Sequence, residues 1–312
     1  MLSSLLQPAV EFYLKNFGHK PESANETWAL DPAQLKEVSI RWPKKYEWDP
    51  AKDWVDLLLY GFRQYVKVEM VDDIPQPYKG TVVFQFVING KKHDVAIGYS
   101  DYMPIDEACA SRCSLYFKMQ YQQQGYGRSN VIPGGYVVEG YKLYFHLSKL
   151  RKLRDQKNFR YEVYGRFGLN AAREIREKAI NILNAQRSFA FEGGMKNVSY
   201  PEFLKEVAQS KVCIDLPGQG DFCFRLLNYM AVGACVVASP HRTLLQAPLV
   251  DRKHLVYSKA DFSDMVELCE YYLAHEKERE EIAQESQKFF DRYLHKDNLV
   301  KYYLRTCLDR LK

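Results

Sequence analysis

The stretch LPGQGDFCFRLLNYMAVGACVV, residues 216–237, gathers residue types that hold an anion. Gly218 and Gly220 follow the apolar run KVCIDL and permit a tight turn with close approach of a ligand to the backbone. A helix opening near Asp221 would point its free N–H groups and the positive end of its dipole at whatever occupies its mouth. Arg225 and Asn228 follow at helical spacing on the same face, and an arginine can grip phosphate oxygens with two parallel hydrogen bonds. The plainer alternative is that Asp221 caps the helix, Arg225 pairs with it, and nothing binds. A second cation, Arg166, sits between Gly165 and Gly168 in YGRFG, a setting that favours a ligand loop. Arg173 and Arg176 lie further along the next helix and read as surface residues paired with Glu174 or Glu177.

The elements that must position these residues are legible from periodicity. From residue 158 onward strands and helices alternate: FRYEVYGRF, NAAREIREKAINILNAQ, RSFAFEG, SYPEFLKEVAQS, KVCIDL, GDFCFRLLNYMAVG and ACVVAS. Short β-rich runs separated by helical segments signal βαβ units and a parallel sheet, with ligands beyond the carboxyl ends of the strands. The first half carries strands at QYVKVEMV, GTVVFQFVING and DVAIGYS, with hairpin chemistry at NGKK, and a further strand at SLYFKMQY. Helices are expected over residues 3–17 and from residue 48, where Asp49 can cap and Pro50 can open the helix. YKLYFHLSKLRKLRDQK reads as the link between two domains, residues 1–150 and 151–292, with a final helix over 293–312.

At 312 residues the chain is long enough for two cores. Its 44 basic residues are spread among 39 acidic ones without a basic tract, so the charge of +5 points to anionic small molecules rather than nucleic acid. An aromatic share of 14% suits sugar or base stacking as well as core packing. The seven cysteines lack CxxC spacing and several lie in apolar runs, so they are expected to be reduced core thiols of a cytosolic protein. The first residues lack the basic start of a secretion signal, and no run approaches the roughly 20 apolar residues of a membrane span. The first helix is expected to dock on its own protein, with a peripheral membrane contact as the alternative.

Several chemistries are disfavoured. GQGDFC has G-x-G but no third small residue and opens a late βα connection, which argues against NAD. The sequence GxxxxGK[ST] is missing, as is G-x-S-x-G. There is no D-x-D to hold a divalent ion, and Asp72 and Asp73 are adjacent, so no metal requirement is expected.

The order glycine loop, Phe-Arg-Leu, then Met-Ala-x-Gly-x-x-Val-Val, which in this chain is FRLLNYMAVGACVV, resembles the donor-sugar signature of GT-B glycosyltransferases of the group-1-like and exostosin-like branches. YGRFG, SYPEFLKEVAQSKVCIDLPG and LVYSKADFSDMVELCEYYL resemble the flanking segments, so the likeness covers roughly residues 158–292. It implies an α/β fold of two Rossmann-like lobes facing a central cleft, with the last helix crossing back to the first lobe. A UDP- or GDP-type sugar would bind loops bearing Arg166, Gly193, Gly218, Gly220, Phe222, Arg225 and Asn228. Many retaining members carry glutamate where this chain has Asn228, which tilts the expectation toward an inverting transfer. The general base then comes from the N-terminal lobe, with Asp101 first and Asp106 second, and His93 and Asp73 behind them. Tyr102 and Lys118 fall on the acceptor side, and Lys118 and Arg166 are the cations expected near the leaving diphosphate. The acceptor is a hydroxyl of a glycan or glycoconjugate. The rival functions are a nucleotide-sugar-binding protein without turnover and a sugar-nucleotide epimerase.

Overall fold

The computed structural model describes residues 7–22, 25–138, 140–168 and 170–311. The chain folds as two compact units. The first takes the chain up to Tyr141 together with Thr243–Ala247 and the segment from Arg292 onward, and the second takes Lys142–Arg242 and Pro248–Asp291.

The first unit opens with α1 (Gln7–Asn16), and the expected start of this helix at residues 3–6 lies outside the described residues. It continues through α2 (Pro32–Leu35), β1 (Val38–Pro43), α3 (Lys52–Phe62), β2 (Lys67–Val71), β3 (Thr81–Ile88), β4 (Lys91–Gly98), α4 (Glu107–Arg112), β5 (Leu115–Lys118), β6 (Tyr121–Gln122) and β7 (Val131–Pro133). Six strands form one mixed sheet in the order β2-β1-β3-β4-β5-β7. β3 and β4 are an antiparallel hairpin turned at Asn89 and Gly90, both with positive φ, as the Asn-Gly signal requires. β4, β5 and β7 run parallel, so their carboxyl ends lie side by side.

Two local expectations are corrected. The strand pattern does not anticipate β1, because its VSIRWP run holds an arginine and a proline; it pairs with both β2 and β3 and buries Ile40 and Trp42. The helix expected from residue 48 begins as a short 3₁₀ turn, Asp49–Ala51, and Asp49 meets Lys52 at 2.5 Å instead of capping.

The second unit comprises α5 (Lys142–Asp155), β8 (Tyr161–Arg166), α6 (Arg173–Ala185), β9 (Phe191–Gly194), α7 (Tyr200–Ala208), β10 (Ser210–Asp215), α8 (Phe224–Val232) and β11 (Cys235–Ala238). The chain then contributes β12 (Thr243–Leu244) to the first unit, where it pairs with β6. It finishes the second unit with β13 (Val256–Tyr257), α9 (Met265–Ala274) and α10 (Glu276–Phe289). The sheet order is β13-β11-β10-β8-β9, with every pairing parallel. This is the Rossmann-like arrangement that the strand and helix alternation predicts. α5 packs on α7 and α8, so the division falls before Lys142 rather than at residue 150.

The last helix, α11 (Lys296–Arg310), belongs to the first unit. It lies so close to α3 that a Cβ on Gly61 would come within 2.2 Å of Val300. Tyr303 stacks on Phe117 at 4.0 Å and donates to the Gly134 carbonyl at 2.9 Å. All seven cysteines are buried and free.

Beneath α3 the Trp42 indole donates to the Tyr46 hydroxyl at 2.7 Å, which donates to Asp56 at 2.6 Å. Burial pushes the Asp56 carboxyl up to about 6, against the opposing pull of the Tyr46 hydrogen bond. The folded state therefore holds this proton more tightly than the unfolded chain, whose carboxyl titrates near 3.8. The stability it contributes is present below pH 3.8 and is lost as pH rises to about 6. A shift of that size corresponds to about 3 kcal/mol. Asp56→Asn keeps the acceptor for Tyr46 and is expected to flatten the stability profile between pH 4 and 6. It should add about 2 kcal/mol at pH 7, read from urea denaturation at each pH.

Candidate functional site

The loops that follow β8, β10 and β11 leave the carboxyl ends of neighbouring parallel strands of the second unit. The β10 loop runs from Leu216 to Cys223 and closes on itself where the Gly218 N–H donates to the Gly220 carbonyl at 2.9 Å. α8 therefore starts at Phe224, not near Asp221, and its N-cap residue Cys223 makes no side-chain capping bond. Asp221 binds the Arg242 guanidinium at 2.9 and 3.1 Å and the Arg242 N–H at 3.0 Å, which ties the β10 loop to the β11 loop. Burial alone would raise the Asp221 carboxyl, but these bonds outweigh it and hold the carboxyl below its ordinary range.

Arg225 turns inward. Its Nε donates to Asp215 Oδ1 at 3.0 Å, its Nη2 donates to the Leu216 carbonyl, and its guanidinium lies 4.7 Å from the Phe167 ring centre. Asp215 is wholly buried, so the ion pair is internal and Arg225 is not extended toward the loop mouth. The Asp215 Oδ2 atom and the Nε2 atom of His241 are both buried without hydrogen bonds, 3.8 Å apart. His241 is held by Phe222, ring centres 5.5 Å apart, and by the Tyr257 hydroxyl at 3.3 Å. Unsatisfied buried polar atoms are rare in folded chains.

Arg166 is likewise committed. It meets Glu206 with two bonds of 2.6 and 2.8 Å and Glu192 at 3.0 Å, and Tyr164 donates to Glu206 at 2.8 Å. Burial would raise Glu206, yet the bonds from Arg166 and Tyr164 hold it below the usual range, and the same contact raises Arg166. Gly193 pairs with Gly165 across β8 and β9, and a Cβ on it would sit 1.9 Å from the Gly165 carbonyl oxygen. Its glycine is required by strand packing. Asn228 is buried and accepts from the Tyr200 hydroxyl at 2.9 Å, which turns it toward α7.

Arg176 is the residue that sequence reading misplaces. It is buried, not a surface partner of a glutamate; Arg173 alone makes that pair, with Glu177 at 2.7 Å. Arg176 Nε donates to the Pro217 carbonyl at 2.9 Å and Nη1 to the Gly168 carbonyl. Its Nη2 lies 3.5 Å from where a Gly218 Cβ would stand. Among the described residues no carboxylate pairs with it. Burial, and then the neighbouring Arg225 charge, lower its proton affinity. A signal exists in the sequence: Arg176 falls on the buried stripe of α6 with Ala179, Ile180 and Leu183.

In the first unit, Asp101, Tyr102 and Lys118 gather at the carboxyl ends of β4 and β5. Asp101, exposed, accepts from the Tyr136 hydroxyl. Lys118 is fully buried, not a solvated strand residue, and donates to the Ser100 carbonyl at 2.8 Å. Burial lowers its amine to about 8, opposed by the nearby Asp101 charge. Tyr102 is exposed, its N–H donating to Ser100 Oγ at 3.2 Å. Asp106 is the N-cap of α4, accepting from the Cys109 N–H at 2.8 Å, and Asp73 pairs with Arg41 at 2.6 Å. His93 is buried on β4, near the hairpin turn, and its imidazole is lowered by burial. Of the four candidate bases, Asp101 stands with Lys118, while Asp106, Asp73 and His93 serve elsewhere.

The sequence profile of the glycosyl transferase-like family matches residues 147–305, about half of the chain. The chain belongs to that family. No curated protein matches it in sequence. In this glycosyl transferase-like protein the matched region takes in every second-unit residue of the candidate site and most of α11 of the first unit. Glycosyl transfer is accordingly the supported function class, and no described helix is long and apolar enough to cross a membrane.

Arg225→Ala would leave the Asp215 carboxylate buried without its counterion and is expected to cost about 3–5 kcal/mol in chemical denaturation. The apolar double replacement Asp215→Leu with Arg225→Met should recover most of that loss, because the desolvation cost disappears with the pair.

Proposed function

We propose that the protein transfers a sugar from a nucleoside-diphosphate donor to a hydroxyl group, with inversion and without a metal ion. The observation that carries the donor half is Arg176, a buried guanidinium with carbonyl partners only, set beside the Gly218 loop and ahead of the uncapped first turn of α8. A diphosphate supplies the negative charge that this arrangement lacks, and free helix N–H groups favour it further. As the glycosidic bond to the donor breaks, charge grows on the departing phosphate oxygen, and a preorganised guanidinium stabilises it in place of a divalent ion. In this assignment Arg225 and Arg166 are positioning residues. Arg225 fixes the strand end and the first turn of α8, and Arg166 fixes the β8 and β9 loops. Gly218, Gly220 and Phe222 shape the loop, and Asn228 braces α8 against α7.

The acceptor half is assigned to the first unit. Asp101 would take the proton of the attacking hydroxyl, held in place by Tyr136, with Tyr102 and Lys118 beside it. UDP- and GDP-type donors, and hexoses and pentoses, all satisfy the reading.

UDP or GDP at 100 times its dissociation constant, in EDTA, should add about 2.7 kcal/mol of stability in a thermal-shift assay. Arg176→Ala is expected to abolish that shift. Asp101→Asn should keep the shift while lowering turnover by about 10² to 10⁴, measured as nucleoside diphosphate released. Absence of a shift with every nucleoside diphosphate would remove the donor site.

A further inference from the structure

Three aromatic rings of the first unit share one orientation. Trp48 and Trp54 lie 5.6 Å apart with planes 21° from parallel, and Tyr99 lies 6.3 and 6.4 Å from them at 11° and 10°. Tyr99 is only 7% exposed and continues β4, so one ring is anchored in the sheet. Trp48 is 46% exposed and immediately precedes the short 3₁₀ turn before α3. An indole left half open to water forfeits part of the large apolar burial that an aromatic side chain offers.

Carboxylates flank the rings along the chain, with Glu47 before Trp48 and Asp53 before Trp54. Tyr99 is two residues from Asp101, and the Glu47 charge acts on the Tyr99 hydroxyl, which burial and then Glu47 push up to about 12. The Asp53 carbonyl accepts from the Gly140 N–H at 2.7 Å. Glu47, Asp53 and Asp101 are all exposed.

We propose that Trp48, Trp54 and Tyr99 form a stacking platform for a carbohydrate, so that the acceptor is itself a saccharide. The π-face of an aromatic ring is negative, and it attracts the C–H face of a pyranose or furanose ring. The flanking carboxylates accept hydrogen bonds from sugar hydroxyls, which are donors. As an acceptor platform this rests on the glycosyl-transfer reading, whereas as a sugar-binding surface it does not.

The test is intrinsic fluorescence of the full chain titrated with glucose, galactose, mannose, N-acetylglucosamine, xylose and their short oligomers, with saturation-transfer NMR on the same samples. The chain has four tryptophans, and Trp28 and Trp42 are buried, so the signal reports Trp48 and Trp54. At least one saccharide is expected to give a saturable change below about 50 mM. Trp48→Ala should weaken it about tenfold or more, which is the loss of one stacking contact. Phe12→Ala, which removes another exposed ring of this unit, should leave it unchanged. No saccharide response, a response indifferent to Trp48→Ala, or a response to nucleosides alone would overturn the proposal. Thermal shifts with UDP and GDP on Trp48→Ala separate the two readings. A retained nucleotide shift without sugar binding in the parent chain sinks the platform alone. Trp48-dependent sugar binding without a nucleotide shift sinks the donor site and leaves the platform standing.

Discussion

One buried ion pair organises the second unit. Asp215 ends β10, and the Arg225 guanidinium that neutralises it also binds the Leu216 carbonyl and covers Phe167 in the loop after β8. A single side chain thus ties two strand ends to the first turn of α8. Desolvating both charges is expensive, and a pair of this kind persists because its geometry is specific. The consequence for the site is indirect. With Arg225 turned inward and Cys223 unable to cap, the amide end of α8 is left to the glycine loop, and the open cationic character passes to Arg176.

The same device secures the far end of α8. Arg151 donates to the Ala231 carbonyl at 2.9 Å and pairs with Asp291 through two bonds of 2.7 and 2.8 Å. A cation there complements the negative end of the helix dipole. Gly233 closes the helix in the left-handed region, at φ 86°, with its N–H on the Met230 carbonyl. Its missing Cβ leaves room for Gln287, which a side chain would approach within 2.6 Å. Arg166 with Glu206 repeats the arrangement around β8, β9 and α7. A short helix of nine residues has little stability alone. Clamped at both ends, it keeps its first turn in place.

The fold of the second unit is legible in the sequence because its strands are short apolar runs and its helices carry clear stripes, so the period of the pattern changes at each boundary. The mixed sheet of the first unit is less so. β1 hides behind Arg41 and Pro43, which are tolerated because Arg41 reaches Gln85 and Asp73 rather than the core. At the site, spacing finds the right loops but the wrong partners. Counting from Asp221 puts Asp221, Arg225 and Asn228 on one helix face, and the turn closed by Gly218 and Gly220 leaves Asp221 outside the helix. Which arginine faces a ligand depends on which carboxylate is nearer in space. Asp215 and Glu206 claim Arg225 and Arg166, and local spacing carries no record of either pairing.

The two units solve the problem of a buried cation differently, and the difference suits their assigned chemistry. Arg166 and Arg225 keep their charge at every accessible pH and are locked to carboxylates, which makes them scaffolding. Lys118 is buried with a neutral carbonyl as its bonded partner and loses its proton near 8. Its hydrogen bond goes to the Ser100 carbonyl rather than to Asp101, and Tyr136 supplies the hydrogen bond that orients that carboxylate. A carboxylate oriented by a hydroxyl and left exposed meets the positional requirement of the base proposed above. An arginine at position 118 would bring a planar fork of donors that binds a carboxylate bidentately, and Asp101 would become a structural partner as Glu206 has.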